Sequence, residues 1–155
     1  MSIEVWAPRA HRVRLRRPGR DDLDLTAADA GWWRAPVRLA AGDRYGFVLD
    51  DDDVRPDPRS RRQPDGVAGL SAWDDAASFA WSDRGWTGRG LAGGLIYELH
   101  VGTFTPEGTL DAAVAKLGHL VELGVSHVEL LPVNGFGGTH NWGYDGVLWY
   151  TVQED

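Results

Sequence analysis

The feature that most restricts the fold of this chain is a strand, helix and strand pattern in its second half. Residues 95–101 form a largely apolar run rich in β-prone side chains, which is typical of a strand buried on both faces. Thr109 is a predicted helix N-cap, apolar residues recur at helical spacing over 110–121, and Gly124 occupies a C-cap position. Residues 125–131 form a second β-prone run. This order predicts a βαβ unit whose two strands are parallel.

Two parallel strands do not make a stable sheet on their own. Parallel sheets are covered on both faces, and a closed barrel of eight strands and eight helices takes about 250 residues. The chain has 155 residues, and the strand pattern begins only at residue 95. Residues 89–155 are therefore predicted to be the truncated start of a (β/α)8 TIM barrel.

The first half of the chain, residues 1–88, follows a different period. Its apolar residues come in short alternating runs separated by turn-forming residues, a pattern that predicts half-buried antiparallel strands. This half is predicted to be an all-β, immunoglobulin-like sandwich, with strands near 3–7, 11–17, 22–25, 32–38 and 43–49.

The segment 50–66 interrupts this pattern. It has no apolar period and contains three prolines, so it is predicted to be a loop. It could be a plain linker. Alternatively, its alternating acidic and basic residues could hold it folded across the sandwich through exposed ion pairs.

Composition narrows the range of ligands. The net charge of −7 argues against nucleic acid, because phosphate binding requires clustered lysine and arginine. No apolar run is long enough to span a membrane, and the absence of cysteine excludes disulfides and thiolate sites and favours the cytoplasm. The five histidines lack metal-ligand spacing, so neither a metal nor a cofactor is predicted.

Several motifs resemble a known enzyme family. Residues 96–109, IYELHVGTFTPEGT, resemble the first barrel strand of maltooligosyltrehalose trehalohydrolases in the α-amylase superfamily. Residues 124–133 and 141–147 are similar to the second-strand motif of that superfamily and the loop after it. The motifs VWAP at 5–8 and GWW at 31–33 resemble the sandwich that precedes the barrel in these enzymes and in glucan branching and debranching enzymes.

The resemblance implies the N-terminal part of a retaining glycoside hydrolase. Such an enzyme would cleave the α-1,4-glucosidic bond next to the trehalose end of maltooligosyltrehalose and release trehalose. The family carries its catalytic carboxylates on the fourth, fifth and seventh barrel strands, so the resemblance places no catalytic residue in this chain and implies that the chain alone is inactive. Two alternatives remain: a fragment of a branching or debranching enzyme, and a stand-alone glucan-binding module. The sequence does not indicate an oligomeric state.

Tyr144 is the leading candidate for contact with substrate. It lies in a loop after the second predicted parallel strand, where barrels of this type bind ligands. Its ring could stack on the C–H face of a glucose unit, and the resemblance places it beside the scissile bond. Asp145 and Trp142 would orient this loop or contact sugar hydroxyls. The alternative is that Tyr144 is a core residue and that Trp142 only packs.

Other residues receive structural predictions. Trp32 and Trp33 are adjacent in a predicted strand, so they should face opposite sides, one inward and one as a possible sugar platform. Glu98 and Glu129 are predicted to be buried and paired with the nearby histidines, His100 or His127. Four further tryptophans are predicted to fill the core and the domain junction, namely Trp6, Trp73, Trp81 and Trp86.

Overall fold

A computed structural model describes residues 3–154. Within this range the chain forms eleven short strands and three short α-helices. The strands are β1 (Glu4–Trp6), β2 (Val13–Arg16), β3 (Leu23–Asp24), β4 (Thr26–Ala27), β5 (Trp32–Arg34), β6 (Arg44–Leu49), β7 (Ser71–Ala72), β8 (Ile96–Leu99), β9 (His127–Leu130), β10 (Asn134–Phe136) and β11 (Gly146–Val152). The helices are α1 (Val101–Phe104), α2 (Leu110–Ala115) and α3 (Leu117–Glu122).

The chain divides into two compact units. The first unit contains the residues up to 79 together with 134–137 and those from 147 onward. The second contains 80–133 and 138–146. None of the helices among residues 3–154 is both long and apolar enough to cross a membrane.

The first unit is built from two small antiparallel sheets that share one core. One has the strand order β3-β2-β6-β7 and the other β1-β5-β4. Alternation directs Val13 and Leu15 of β2 inward, where both are fully buried, and Val5 of β1 meets them from the other sheet. The prediction of a β-rich, antiparallel first half is therefore confirmed, and each of its five predicted strands overlaps an observed one.

The segment 50–66 is folded against this core, so its interpretation as a plain linker is wrong. Phe47 of β6 and Arg55 exchange two backbone hydrogen bonds of 2.8 Å each, and the backbone of Arg62 pairs with that of Ala72. Ser60 is buried. Backbone hydrogen bonds fix this segment in addition to the exposed ion pairs expected from its charges.

The last residues of the chain add to the same unit. β10 and β11 form a two-stranded sheet, and the hydroxyl of Thr151 donates a 2.7 Å hydrogen bond to the carbonyl of the buried Ser60. Glu154 accepts from the guanidinium of Arg62 at 2.7 Å and from the backbone N–H of Gln63 at 3.0 Å. Residues far apart in sequence therefore hold the 60–63 part of the segment 50–66 in place.

The second unit contains the predicted parallel pair. β8 and β9 are parallel, with Ile96 opposite His127 and Leu99 opposite Leu130. Thr109 is the N-cap of α2, since its hydroxyl accepts from the backbone N–H three residues on at 3.2 Å. The predicted single helix is divided into α2 and α3 at Lys116, which is the C-cap of the first and the N-cap of the second.

Burial in the second unit differs from the prediction. Of the predicted apolar helix face, only Ala113 and Leu120 are buried. The strands are not covered on both faces, since Val128 and Leu130 are exposed. Each strand of a two-stranded sheet has one hydrogen-bonded neighbour, which leaves much of its surface open to solvent.

Candidate functional site

The predicted site residues lie together in a loop of the second unit, residues 138–146, between β10 and β11. Tyr144 is 79% exposed and Trp142 is 80% exposed. Asp145 is also exposed. Neither aromatic ring is buried within this chain. Two aromatic rings and a carboxylate are available to a ligand.

A buried glycine shapes this loop. Gly143 has φ 88°, in the left-handed region, and a Cβ added there would lie 3.2 Å from the Cβ of Leu131. The side-chain oxygen of Asn141 accepts from the backbone N–H of Gly143, which closes an Asx-type turn. The turn packs its backbone inward at Gly143, so the side chains on either side of it project outward.

His100 anchors the same loop from the end of β8. Its Nε2 lies 2.8 Å from the carbonyl oxygen of Asn141. A carbonyl only accepts, so Nε2 carries the proton and donates. The other ring nitrogen, Nδ1, is buried without a hydrogen-bond partner among residues 3–154. The imidazole therefore connects the C-terminal end of the first parallel strand to the loop that carries Tyr144.

This role of His100 corrects the predicted pairing of the two glutamates. Glu98 and Glu129 are both exposed, and His100 binds a backbone carbonyl instead of either one. The Nδ1 atom of His127 lies 2.8 Å from the hydroxyl oxygen of Ser126. The sequence signal that could have indicated His100 is its position at a strand's C-terminal end, where barrels place their functional groups.

A cavity of about 690 Å³ lies beside His100 in the second unit. Tyr97 and Phe104 meet there edge to face, with ring centroids 6.1 Å apart. Its remaining lining is Glu98, Leu99, His100, Thr103, Lys116 and His119. No group of three or more potential metal ligands occurs among the residues that the structure describes. The cavity is therefore lined by aromatic, charged and polar side chains together.

The tryptophans of the first unit divide between core and surface. Trp33 faces the core and donates from its ring N–H to the carbonyl of Ala7 at 3.1 Å. Trp32 faces the other way, and the guanidinium of Arg59 lies 4.6 Å from its ring centre, so the predicted opposite orientation is confirmed. Trp73 packs against the core as predicted. The other three tryptophans predicted for the core or the domain junction are exposed and do not lie in a core, namely Trp6, Trp81 and Trp86.

Comparison with curated proteins shows which enzymes this chain resembles. A malto-oligosyltrehalose trehalohydrolase of Arthrobacter ramosus is 56% identical over 97% of this chain, and one of Mycobacterium tuberculosis is 54% identical over 98%. That of Saccharolobus solfataricus is 40% identical over 99%. The chain is therefore similar to malto-oligosyltrehalose trehalohydrolases over nearly all of its own length. It spans 27% of the length of each of these three relatives. No protein-family model matches the sequence.

Solved structures agree with this relationship. A crystal structure of a Salmonella typhimurium protein assigned as an alpha amylase is 44% identical, with a TM-score of 0.90 over 99% of this chain and 26% of that protein. A pullulanase of Anoxybacillus, complexed with maltotetraose, has a TM-score of 0.79 at 21% identity over 98% of this chain and 28% of its own length, which shows the fold alone. The resemblance to the trehalohydrolases is confirmed. The branching-enzyme alternative is less well supported, since a branching enzyme of Xanthomonas euvesicatoria is 31% identical over 90% of this chain and 22% of its own length.

Proposed function

We propose that this chain is the N-terminal part of an enzyme that hydrolyses the α-1,4-glucosidic bond next to the trehalose end of maltooligosyltrehalose and releases trehalose. The observation that carries the proposal is 40–56% identity, over nearly the whole chain, to proteins named for that activity. The substrate class is an α-glucan. The absence of cysteine supports a cytoplasmic location.

The proposed architecture is a sandwich followed by the opening of a barrel. Residues 1–88 would be the immunoglobulin-like sandwich, and 89–155 the first strands, helix and loop of a (β/α)8 barrel. The parallel β8–β9 pair, with helices in the connection, supports this assignment. The placement of His100 and the Tyr144 loop beyond the strands agrees with the barrel rule that ligands bind at the C-terminal strand ends.

The reaction requires two carboxyl groups that this chain does not supply. Retaining hydrolysis uses a nucleophile and an acid about 5–5.5 Å apart. Glu98 and Glu129 lie within β8 and β9 rather than in the loops beyond their C-terminal ends, so neither is assigned a catalytic role. The isolated 155 residues are expected to release no trehalose, and measurable release by the purified chain would contradict this assignment.

Tyr144 would bind the substrate by stacking on a glucose ring. Its exposed face can cover the C–H surface of a sugar, and its hydroxyl can exchange hydrogen bonds with sugar hydroxyls. Trp142 would extend this apolar surface, while Asp145 would accept hydrogen bonds from the sugar. His100 would hold the loop in the geometry that presents these side chains.

The test measures trehalose release by a protein of the relatives' full length that contains this sequence. Tyr144→Ala is expected to lower kcat/KM by about tenfold or more, because it removes the stacking face, whereas Tyr144→Phe retains most of the activity. Tyr150→Ala is the matched control, since it removes an exposed tyrosine of the first unit. Formation of α-1,6 branches in place of trehalose would support the branching-enzyme alternative and refute the proposal.

A further inference from the structure

We infer that Thr151 and Glu154 are positioning residues for the reaction, because they attach the hairpin whose loop carries Tyr144 to the segment 50–66. The hairpin is the two-stranded sheet of β10 and β11, and residues 137–145 connect its strands. The inference rests on the proposed function for the role of Tyr144, whereas the attachment of the hairpin does not. Both residues act through the loop, and neither is assigned a contact with substrate.

The hairpin has little packing of its own to hold it in place. An isolated two-stranded sheet is at best marginally stable in water. Of the seven residues of β11, Thr151 alone is buried, and Trp149 and Tyr150 are exposed. The buried residue of β10 is Gly135, where an added Cβ would lie 3.4 Å from the side chain of Val67 and 3.5 Å from that of Thr151. The orientation of the hairpin therefore depends on a few contacts at its buried side.

Two polar contacts join the end of the hairpin to the segment 50–66. The hydroxyl of Thr151 donates its 2.7 Å hydrogen bond to the carbonyl of Ser60, and the two residues are only 3% and 1% exposed. Burial on both sides protects this contact from competition by water. Two residues beyond β11, Glu154 forms a 2.7 Å ion pair with Arg62. Because its side chains are partly exposed, this second contact is the weaker one.

The carbonyl of Ser60 that receives Thr151 belongs to a well-supported turn. The N–H of Ser60 donates to the carbonyl of Asp57 at 2.9 Å, and its hydroxyl donates to the carbonyl of Arg62 at 2.7 Å. The carbonyl of Arg62 also accepts from the N–H of Ala72 in β7 at 2.9 Å. The side chain of Asp57 accepts from the hydroxyl of Tyr45 in β6 at 2.8 Å. The turn is therefore tied to two strands of the sandwich, and such a support can position a binding residue accurately.

Small movements at this support become large at Tyr144. Thr151 follows Tyr144 by seven positions, which is about 23 Å along an extended strand at about 3.3 Å per residue. A rotation of the hairpin by about 5° at Thr151 would therefore move Tyr144 by about 2 Å. A misplacement of about 1 Å in a group that positions substrate can lower the rate by about a hundredfold. Loss of the Thr151 hydroxyl is therefore expected to reduce catalysis from a distance.

The test measures trehalose release by variants of a protein of the relatives' full length that contains this sequence. Thr151→Val removes the hydroxyl and is expected to lower kcat/KM about tenfold, whereas Thr151→Ser keeps it and should retain at least about half of the activity. Val13→Ala is the matched control, because it weakens the core at a fully buried residue of β2, a strand that pairs with neither strand of the hairpin. It should leave kcat/KM unchanged at a temperature where circular dichroism shows every variant to be folded.

A double-mutant cycle tests whether Thr151 acts through the loop. In the Tyr144→Ala background, Thr151→Val should lower kcat/KM by less than about twofold, since the side chain that it positions is already absent. Glu154→Gln changes an exposed ion pair with little effect on folding and should lower kcat/KM about threefold. An unchanged kcat/KM for Glu154→Gln overturns the role of Glu154. Full activity of folded Thr151→Val, losses that multiply in the double variant, or an equal loss in Val13→Ala overturns the role of Thr151.

A measurement on the 155-residue chain does not depend on the reaction. In chain labelled with 5-fluorotryptophan, the resonance of Trp142, assigned with Trp142→Phe, should move in Thr151→Val and stay unchanged in Thr151→Ser and Val13→Ala. An unchanged Trp142 resonance in Thr151→Val overturns the attachment. If the unmodified full-length protein releases no trehalose, the proposed function fails, while a Trp142 resonance that moves in Thr151→Val still supports the attachment. The two failures are therefore distinguishable.

Discussion

Replacing Tyr45 with phenylalanine tests whether a buried polar contact holds the segment 50–66 on the sandwich. The Tyr45 ring is buried, and its hydroxyl donates a 2.8 Å hydrogen bond to a carboxylate oxygen of Asp57. The other carboxylate oxygen accepts from the backbone N–H of Arg59 at 2.8 Å, and the N–H of Asp57 donates to the hydroxyl of Ser71. The substitution keeps the aromatic ring and removes one of the two hydrogen-bond donors to the buried carboxylate of Asp57.

The expected cost follows from this geometry. A hydrogen bond to a charged group contributes about 1.5–3 kcal/mol, and both partners are buried, so solvent does not weaken it much. We expect the free energy of unfolding at neutral pH to fall by about 2 kcal/mol. Burial raises the pKa of the Tyr45 hydroxyl, and the carboxylate of Asp57 adds to this effect, so the hydroxyl remains a donor at neutral and acidic pH.

The effect should also depend on pH with a defined sign. Burial raises the pKa of Asp57, and the hydrogen bonds from Arg59 and Tyr45 partly oppose this, so the variant has a still higher pKa. The folded variant then binds this proton more tightly than the unfolded chain does. The variant's free energy of unfolding therefore increases, relative to that of the unmodified protein, as the pH falls from neutral through the raised pKa of Asp57. The difference in stability between the two proteins becomes smaller.

Urea unfolding followed by tryptophan fluorescence measures both effects, at pH 7 and at about pH 4.5, which is just above the usual pKa of an unfolded aspartate. Tyr150→Phe is the control, because its hydroxyl lies on an exposed side chain and should change stability by less than about 0.5 kcal/mol. A loss for Tyr45→Phe no larger than that of the control, or a loss that grows in acid, would refute the reasoning.

Two further substitutions test other contacts. Thr151→Val removes the hydroxyl that donates to the buried carbonyl of Ser60. It should lower the urea midpoint of the first unit, at a cost of about 1–2 kcal/mol in the free energy of unfolding. An unchanged midpoint would mean that water replaces the hydroxyl. Gly143→Ala forces a side chain into a left-handed backbone conformation at a cost of about 1 kcal/mol or more, and should shift the amide NMR signals of 138–146, while spectra identical to those of the unmodified chain would contradict this.

The sandwich strands could be predicted because their alternation of apolar and polar residues is local. Val13 and Leu15 alternate with arginines along β2, and that pattern alone shows which side is buried. The segment 50–66 could not be predicted in the same way. Its attachment depends on backbone hydrogen bonds such as those between Phe47 and Arg55, which any side chain at those positions could make.

The candidate site was predictable only in part for a similar reason. Tyr144 stands out because an aromatic residue follows a strand and belongs to a recognisable motif. His100 does not stand out, because its partner is a backbone carbonyl 41 residues away, and the sequence pattern does not indicate that distance. The predicted partners of His100, the nearby glutamates, were chosen on charge, whereas the structure satisfies the imidazole with a neutral acceptor.

The tryptophans show where burial cannot be inferred from residue type. Trp33 and Trp6 lie on paired strands of one sheet, yet one packs inward and the other stands in solvent. Alternation assigns each residue to a face, but it does not show whether an outward face is covered. Hydrophobicity predicts the core reliably only where the opposing layer is present, as it is for Trp33 between the two sheets. Exposed Trp6 keeps its orientation through a hydrogen bond to Ala30 and a close contact with Gly31, so an aromatic ring can be fixed in place without being buried.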